Sequence, residues 1–513
     1  MALLRSVATV GSYTMLSRVL GFIRDMLTAA LLGAGPVTDA FFVALRLPNL
    51  FRSLFAEGAF SAAFVPLFAG IVARENRAAA RLFAEDALAA LLAALALFLV
   101  VGEIATPWFL RVLAPGFESE PGTFALCVHL TRITFPYLLF ISLVALQGGV
   151  LNSVERFAAT AATPALLNIF LIAALTLKRP ASGETLAWAV SLAGFAQFLW
   201  LMFSCAQAGL ALRLPRPAVT PAVRQMVRLM LPGVFGAGAT QLNLVISTAV
   251  ASLLPAGAVS YLYYADRLEQ LPLGVVGFAV GTAILPPLSR HVRLGDQAGA
   301  NDTQNRGLEL ACLLTLPAAV ALGVAAWPIL HVLFERGAFG AADTVATAGA
   351  LGAYAAGLPA FVLVKVLAPG FFARHDTATP VKIAFAAIAA NIVLTTGLGL
   401  MTPLAYVGVA MATSCAGWIN ALLLAYLLHR RGHFTVDARA RKSLPRMLAA
   451  ALGMGALVLV LERMLAPAFD AGLAVRLAAL AGLVAVGLAS FAVLAVVLGA
   501  APWGEVRARL KRA

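Results

Sequence analysis

Ala87-Leu88-Ala89-Ala90-Leu91-Leu92-Ala93-Ala94-Leu95-Ala96-Leu97-Phe98-Leu99-Val100-Val101 carries no charge and no side chain able to hydrogen-bond. Such a stretch belongs inside a protein core or among lipid chains, and composition decides between the two. Hydrophobic residues make up 62% of the 513 and charged ones 12%, against roughly 45–50% and roughly 25% in soluble globular chains. Uncharged runs recur at 166–177, 383–400 and 447–461, and a helix of about 20 mostly apolar residues crosses a bilayer. Spanning strands do not fit, because they alternate polar and apolar residues in segments of about ten. The fold expected is therefore an all-α membrane protein.

Working outward from that run, apolar stretches and their breakers predict about 14 transmembrane helices. They fall near 7–33, 37–72, 84–110, 123–151, 158–177, 185–209, 223–254, 258–289, 306–333, 343–372, 380–400, 404–428, 444–466 and 474–499. With the N-terminus inside, 24 Lys and Arg residues fall in cytoplasmic segments and six in outer ones, which is the loop bias that orients inserted helices. Both termini are then cytoplasmic, and the tail from Arg507 reads as an anchor on the anionic inner leaflet. The net charge of +14 thus follows topology and does not indicate nucleic acid. The N-terminus lacks the short apolar core and small-residue cleavage site of a removed signal peptide.

Cys127, Cys205, Cys312 and Cys415 stand singly in apolar stretches and read as small buried hydrophobes, not a disulfide framework. No Walker loop, dinucleotide fingerprint, His-Glu-x-x-His or Gly-x-Ser-x-Gly appears, so ATP hydrolysis and the commoner hydrolytic chemistries find no support. The six histidines are scattered, and no metal site is expected.

The chain repeats internally. Ala44-Leu45-Arg46-Leu47, with Pro66-Leu67 beyond it, matches Ala265-Asp266-Arg267-Leu268, with Pro287-Leu288 beyond it. Phe157-Ala158 before Thr163-Pro164 likewise matches Phe372-Ala373 before Thr379-Pro380. Each copy spans about six helices and begins on the same side of the membrane, the arrangement of parallel transporter repeats. The expected organisation is an N-terminal lobe over 1–215, a C-terminal lobe over 216–432, and two further helices with a basic tail over 433–513.

Seven basic residues fall inside the spans: Arg18, Arg24, Arg46, Arg52, Arg132, Arg267 and Lys365. A charge at mid-membrane costs about 2.5–3.5 kcal/mol on insertion scales, so it normally faces a protein interior or an aqueous cavity. Arg46 and Arg132 can instead snorkel to headgroups. Asp25, Asp39, Glu57, Asp266 and Glu269 accompany the arginines, and Asp25, seven residues from Arg18, can pair with it. A planar guanidinium binds phosphate oxygens bidentately and stays charged at physiological pH, so a pyrophosphate suits the cluster; a carboxylate or sulfate would also be served. Pro48 and Gly58 are expected to interrupt the second helix, and Pro272 and Gly274 the eighth, as irregular backbone lining a cavity. Gly277 and Gly281 read as a close-packing step.

Ser17-Arg18-Val19-Leu20-Gly21-Phe22-Ile23-Arg24-Asp25, Asp39-Ala40-Phe41, Arg46-Leu47-Pro48-Asn49-Leu50-Phe51-Arg52 and Glu57-Gly58-Ala59-Phe60 resemble the MurJ (MviN) family of lipid II flippases, as do Ser260-Tyr261-Leu262-Tyr263-Tyr264-Ala265-Asp266-Arg267-Leu268 and 372–380. The resemblance implies the multidrug/oligosaccharidyl-lipid/polysaccharide exporter fold: two pseudo-symmetric six-helix lobes, plus two C-terminal helices forming a groove for a polyprenyl tail. It implies that Arg18, Arg24, Arg52 and Arg267 are required and that Asp39, Glu57 and Ser260 line the same cavity. Asn49 and Asp25 complete the candidate substrate-binding set. Lipid II and membrane lipids are the implied partners, with cell-wall synthesis proteins as further ones, in the bacterial inner membrane. No cofactor is expected. The membrane potential is the expected driving force, and the coupling ion stays open because the seventh helix has no acidic residue. The alternative is another exporter of the superfamily, an O-antigen-type flippase or a drug/cation antiporter.

Overall fold

The computed structural model describes residues 2–53, 60–178, 180–215 and 220–500, without the side chains of 2–8, 231–240, 275, 278, 279 and 282. Glu57, Gly58, Arg179, Arg216, the Arg5 side chain and the basic tail from Arg507 lie outside the described residues. Helices follow one another with short connections. They are α1 (Ala2–Leu32), α2 (Pro36–Phe51), α3 (Ser61–Arg74), α4 (Arg77–Leu113), α5 (Pro121–Thr134), α6 (Tyr137–Ser153), α7 (Phe157–Leu177), α8 (Gly183–Gln207), α9 (Pro221–Ser252), α10 (Ala258–Arg293), α11 (Gln297–Val324), α12 (Ala326–Leu333), α13 (Ala341–Ala355), α14 (Leu358–Phe372), α15 (Ala378–Leu400), α16 (Ala405–Arg430), α17 (Ala438–Met464), α18 (Ala466–Phe469) and α19 (Leu473–Val497). Several starts are fixed by a side-chain oxygen that takes an otherwise orphaned backbone N–H. Asn76, Ser182, Asp296 and Asp437 accept in this way from Ala79, Thr185, Gly299 and Ala440.

Among the described residues ten helical stretches are long and apolar enough to cross a membrane. The other four expected spans are α1, the α2–α3 pair, α9 and α10. α1 places Arg18, Arg24 and Asp25 within eight residues, while α2 and α3 have 16 and 14 residues. The least lipid-like elements are thus largely those that hold the intramembrane charges.

The breaks differ from expectation. α5 and α6, expected as one helix, part at Phe135-Pro136, where the ring removes a donor and clashes with the preceding turn. α13 and α14 part at Ala356-Gly357, just before Pro359. Conversely, α2 runs through Pro48 and α10 through Pro272, so neither proline interrupts its helix. At Pro48 the compensation is visible. Proline lacks the N–H that would bond the Ala44 carbonyl, and the buried Thr134 hydroxyl donates there at 3.3 Å; the Asn49 amide donates to the Leu45 carbonyl at 2.9 Å.

Contacts divide the chain into two compact units, one of 1–260 with 336–339, the other of 261–335 with 340–513. This division follows contacts, whereas the 1–215/216–432/433–513 organisation expected above follows the repeat. In the first unit α1 packs along α7 and α2 along α5, while α8 packs against α5, α6 and α7. A hydrophobic core there joins α3, α4, α6 and α8 through Phe64, Phe68, Phe83, Leu146 and Leu201. In the second unit α16 packs against α13, α14 and α15, as α8 does against α5, α6 and α7 in the first. Thr163-Pro164 and Thr379-Pro380 then fall on the corresponding α7 and α15. At the expected close-packing step an added Cβ would meet only ordinary contacts, 3.7 Å from Leu273 at Gly277 and 3.6 Å from Lys365 at Gly281. The last long helices, α17 and α19, pack on each other and α17 on α11, with Met454, Val458 and Leu483 against Ala325.

Candidate functional site

α1 presents its charges on different faces. Arg18 is exposed, whereas Arg24 and Asp25 are half-buried and buried. Six residues separate the arginines, about 240° around a helix, so they do not share a face. Asp25 pairs with its neighbour Arg24 and not with Arg18: Arg24 Nε and Nη2 donate to Asp25 Oδ1 at 3.0 and 2.6 Å. Side chains of a helix lean toward its N-terminus, which carries the guanidinium back over the preceding turn. There Arg24 Nη1 donates to Asn168 Oδ1 of α7 at 3.0 Å, and Asn168 Nδ2 donates to the Ser17 carbonyl at 2.9 Å. Asn168 is a residue that sequence reasoning missed. A single Asn in an apolar run is its only signal.

α2 brings together a second pair. Arg52, half-buried just past the helix end, donates through Nε to Asn49 Oδ1 at 3.1 Å. Beside it the Gln241 amide of α9 donates to Ser53 Oγ at 2.8 Å.

Asp39 and Ser260 also meet, but away from solvent: they are 2% and 0% exposed, a burial that places both side chains inside the packed unit. Asp39 Oδ2 accepts from the Gly257 amide at 2.7 Å, and Oδ1 from the Ser260 amide and hydroxyl at 2.8 and 2.5 Å. The carboxylate thereby caps the first turn of α10 from outside that helix, where free N–H groups and the helix dipole favour a negative charge.

Arg267 belongs to the second unit. Its guanidinium lies 4.9 Å from the centre of the Tyr263 ring one turn earlier, and Nη2 donates to the Tyr263 hydroxyl at 3.1 Å. A cation over an aromatic face is attracted to its π-cloud, so Tyr263 sets the direction of this arginine. On the same helix Asp266 accepts from the Gln270 amide at 2.5 Å, and Glu269 is 3% exposed. Glu57 lies outside the described residues. The candidate residues therefore resolve into oriented guanidiniums at Arg24, Arg52 and Arg267, an exposed Arg18, and a buried cap formed by Asp39 and Ser260.

A family model described as "Lipid II flippase MurJ" matches residues 28–480. The chain belongs to the MurJ family. A probable lipid II flippase MurJ of Rhizobium meliloti (strain 1021) is 43% identical across 100% of this chain and 97% of its own length. The lipid II flippase MurJ of Burkholderia cenocepacia is 38% identical over 89% and 90% of the two chains. Among solved structures, one titled "Lipid II flippase MurJ, inward closed conformation" superposes with a TM-score of 0.76 at 24% identity, over 95% of this chain and 98% of that one. An inward-facing multidrug resistance MATE family transporter of the MOP superfamily gives 0.68 at 13% identity, over 83% and 97%. The fold is accordingly the all-helical MurJ and MATE-like transporter fold. Membership of the MurJ family places the chain among transporters, not enzymes, as a multi-pass inner-membrane protein.

Proposed function

We propose that this chain moves lipid II from the cytoplasmic to the periplasmic leaflet of the inner membrane. Its central arginines hold the pyrophosphate during the crossing. The observation that carries the reading is Arg24, a guanidinium on the expected span α1 that Asp25 and Asn168 hold together. An arginine that merely reached for headgroups would not be held from both its own helix and a neighbour. Arg52, held by Asn49, and Arg267, held by Tyr263, have the same character; Arg18 is the most accessible of the four. In this reading Asp39 and Ser260 act by shaping α10, not by touching the substrate.

The lipid-linked headgroup enters from the inner leaflet, its diphosphate engages the guanidiniums, and the two lobes exchange access while the polyprenyl tail stays in lipid. An inside-negative potential favours the outward passage of the anion by about 2.3 kcal/mol per charge per 100 mV. Cytoplasmic termini accord with the distribution of basic loop residues, and cell-wall synthesis proteins are the natural recipients of the product.

The test is lipid II flipping by the reconstituted chain. Arg24→Ala removes charge-assisted contacts to the diphosphate, each worth about 1.5–3 kcal/mol, and is expected to lower flipping roughly ten- to hundredfold. Arg24→Lys, which keeps charge without the fork, should fall between. Undiminished flipping by stably folded Arg18→Ala, Arg24→Ala and Arg267→Ala variants would refute the site.

A further inference from the structure

Asn168 is buried on α7 at 6% exposure, on a helix whose other buried residues are Thr163, Ala165, Leu171 and Leu175. Its amide lies across α1 at Gly21, where a Cβ would be 3.5 Å from Nδ2. One side of the amide meets a pure donor, the Arg24 guanidinium at 3.0 Å, and the other meets a pure acceptor, the Ser17 carbonyl at 2.9 Å. Turning the amide over would set NH2 against guanidinium and oxygen against carbonyl, so both partners fix its orientation. No other side chain of this length offers an acceptor and a donor without a charge. A carboxylate would accept from Arg24 equally well, yet it would lose the bond to Ser17 and add a second negative charge beside Asp25. A leucine would lose both bonds.

We propose that Asn168 is a positioning residue for substrate binding: it holds the Arg24 guanidinium with a neutral acceptor, adding no negative charge beside Asp25, and it locks that position to the α1 backbone at Ser17. This rests on the reading that Arg24 engages the diphosphate. The residue acts through electrical neutrality as much as through geometry, and that distinguishes it from a packing residue.

The experiment uses the full chain in vesicles, with lipid II as probe and flipping rate followed against lipid II concentration and pH, each variant relative to wild type at the same pH. Asn168→Asp is expected to fall about thirtyfold near pH 8, the factor given by one added charge some 8 Å from an anion at an effective dielectric constant of about 20. It should recover progressively as pH falls below about 4, where a protonated carboxyl again offers a neutral acceptor. Asn168→Leu is expected to raise the half-saturating lipid II concentration with little change in maximal rate and no pH recovery. Arg24→Ala is measured beside them. Loss in Arg24→Ala together with an Asn168→Asp profile parallel to wild type overturns the role of Asn168 and leaves the site intact. Unchanged flipping in Arg24→Ala overturns the site reading itself, and this inference with it.

Discussion

Replacing Asp39 by alanine removes one carboxylate and strands three donors. The Gly257 and Ser260 amides and the Ser260 hydroxyl all point at its two oxygens from 2.5–2.8 Å, in a place where Asp39 is 2% exposed. An unmade hydrogen bond by a buried donor costs about 1–3 kcal/mol. The hydroxyl can rotate to another acceptor, but the two amides cannot, so Asp39→Ala should lose about 2–5 kcal/mol, allowing for partial entry of water. Ser260→Ala removes one donor and leaves the carboxylate two amides, which predicts about 1 kcal/mol. The two losses should not add, because residues sharing one network couple by about 0.5–3 kcal/mol. Thermal melts of the purified protein, with Asp39→Ala, Ser260→Ala and the double variant at one protein concentration, measure this directly. Melting of Asp39→Ala at the wild-type temperature, or losses that simply sum, would refute the cap.

Glu309 on α11 accepts from the Ser443 hydroxyl at 2.6 Å, pairs with Arg439 at 3.3 Å and also meets Arg306, which pairs with Asp302 and Asp437 besides; Glu309→Ala should therefore destabilise the chain by about 1–3 kcal/mol in the same melts. Gly337 has φ +59°, and a Cβ there would lie 2.1 Å from the Ala30 carbonyl oxygen, so Gly337→Ala should cost about 1–3 kcal/mol; Gly35→Ala, with nothing within 4 Å, should melt within about 0.5 kcal/mol of wild type. On the loop before α15, the Thr379 hydroxyl and amide together with Arg431 hold the Asp376 carboxyl well below the usual carboxylate range. A depressed folded value means the stabilisation is present above the unfolded pKa of about 3.9 and fades as pH falls through the folded value. Asp376→Asn should therefore narrow the stability gap to wild type as pH is lowered below about 4, and a gap unchanged with pH would count against the cluster.

How much of this was legible beforehand depends on the range of each interaction. Apolar runs such as 87–101 need no partner to be recognised, because the lipid requirement acts on each helix separately. Arginines in those spans stood out for the same reason. What the sequence hid are pairings across long separations: Asp39 with Ser260, 221 positions away, and Arg24 with Asn168, 144 away. Both are specific only once helices are packed, and an isolated Asn in an apolar run carries no mark of its partner. The prolines misled in a related way. Pro48 was expected to break its helix, but Thr134 from α5 serves the carbonyl that proline leaves open, and nothing local to Pro48 announces that. The seven-residue spacing also allows Asp25 to pair with Arg18, yet its neighbour Arg24 is the one that bonds it.

The four residues 336–339 belong with 1–260 although the chain on either side of them belongs to the other unit. The Ala338 amide donates to the Ala30 carbonyl near the end of α1 at 2.8 Å. During synthesis, domains generally form from the N-terminal side as they emerge, but here the first unit cannot finish when its main segment has been made. Its last strand of contacts arrives 79 residues later, at 339 against 260. A ribosome that stalled between those points would release a half whose first helix ends on an unanswered carbonyl, and a chain split at 260 would yield a first fragment obliged to find its missing tetrapeptide in the second.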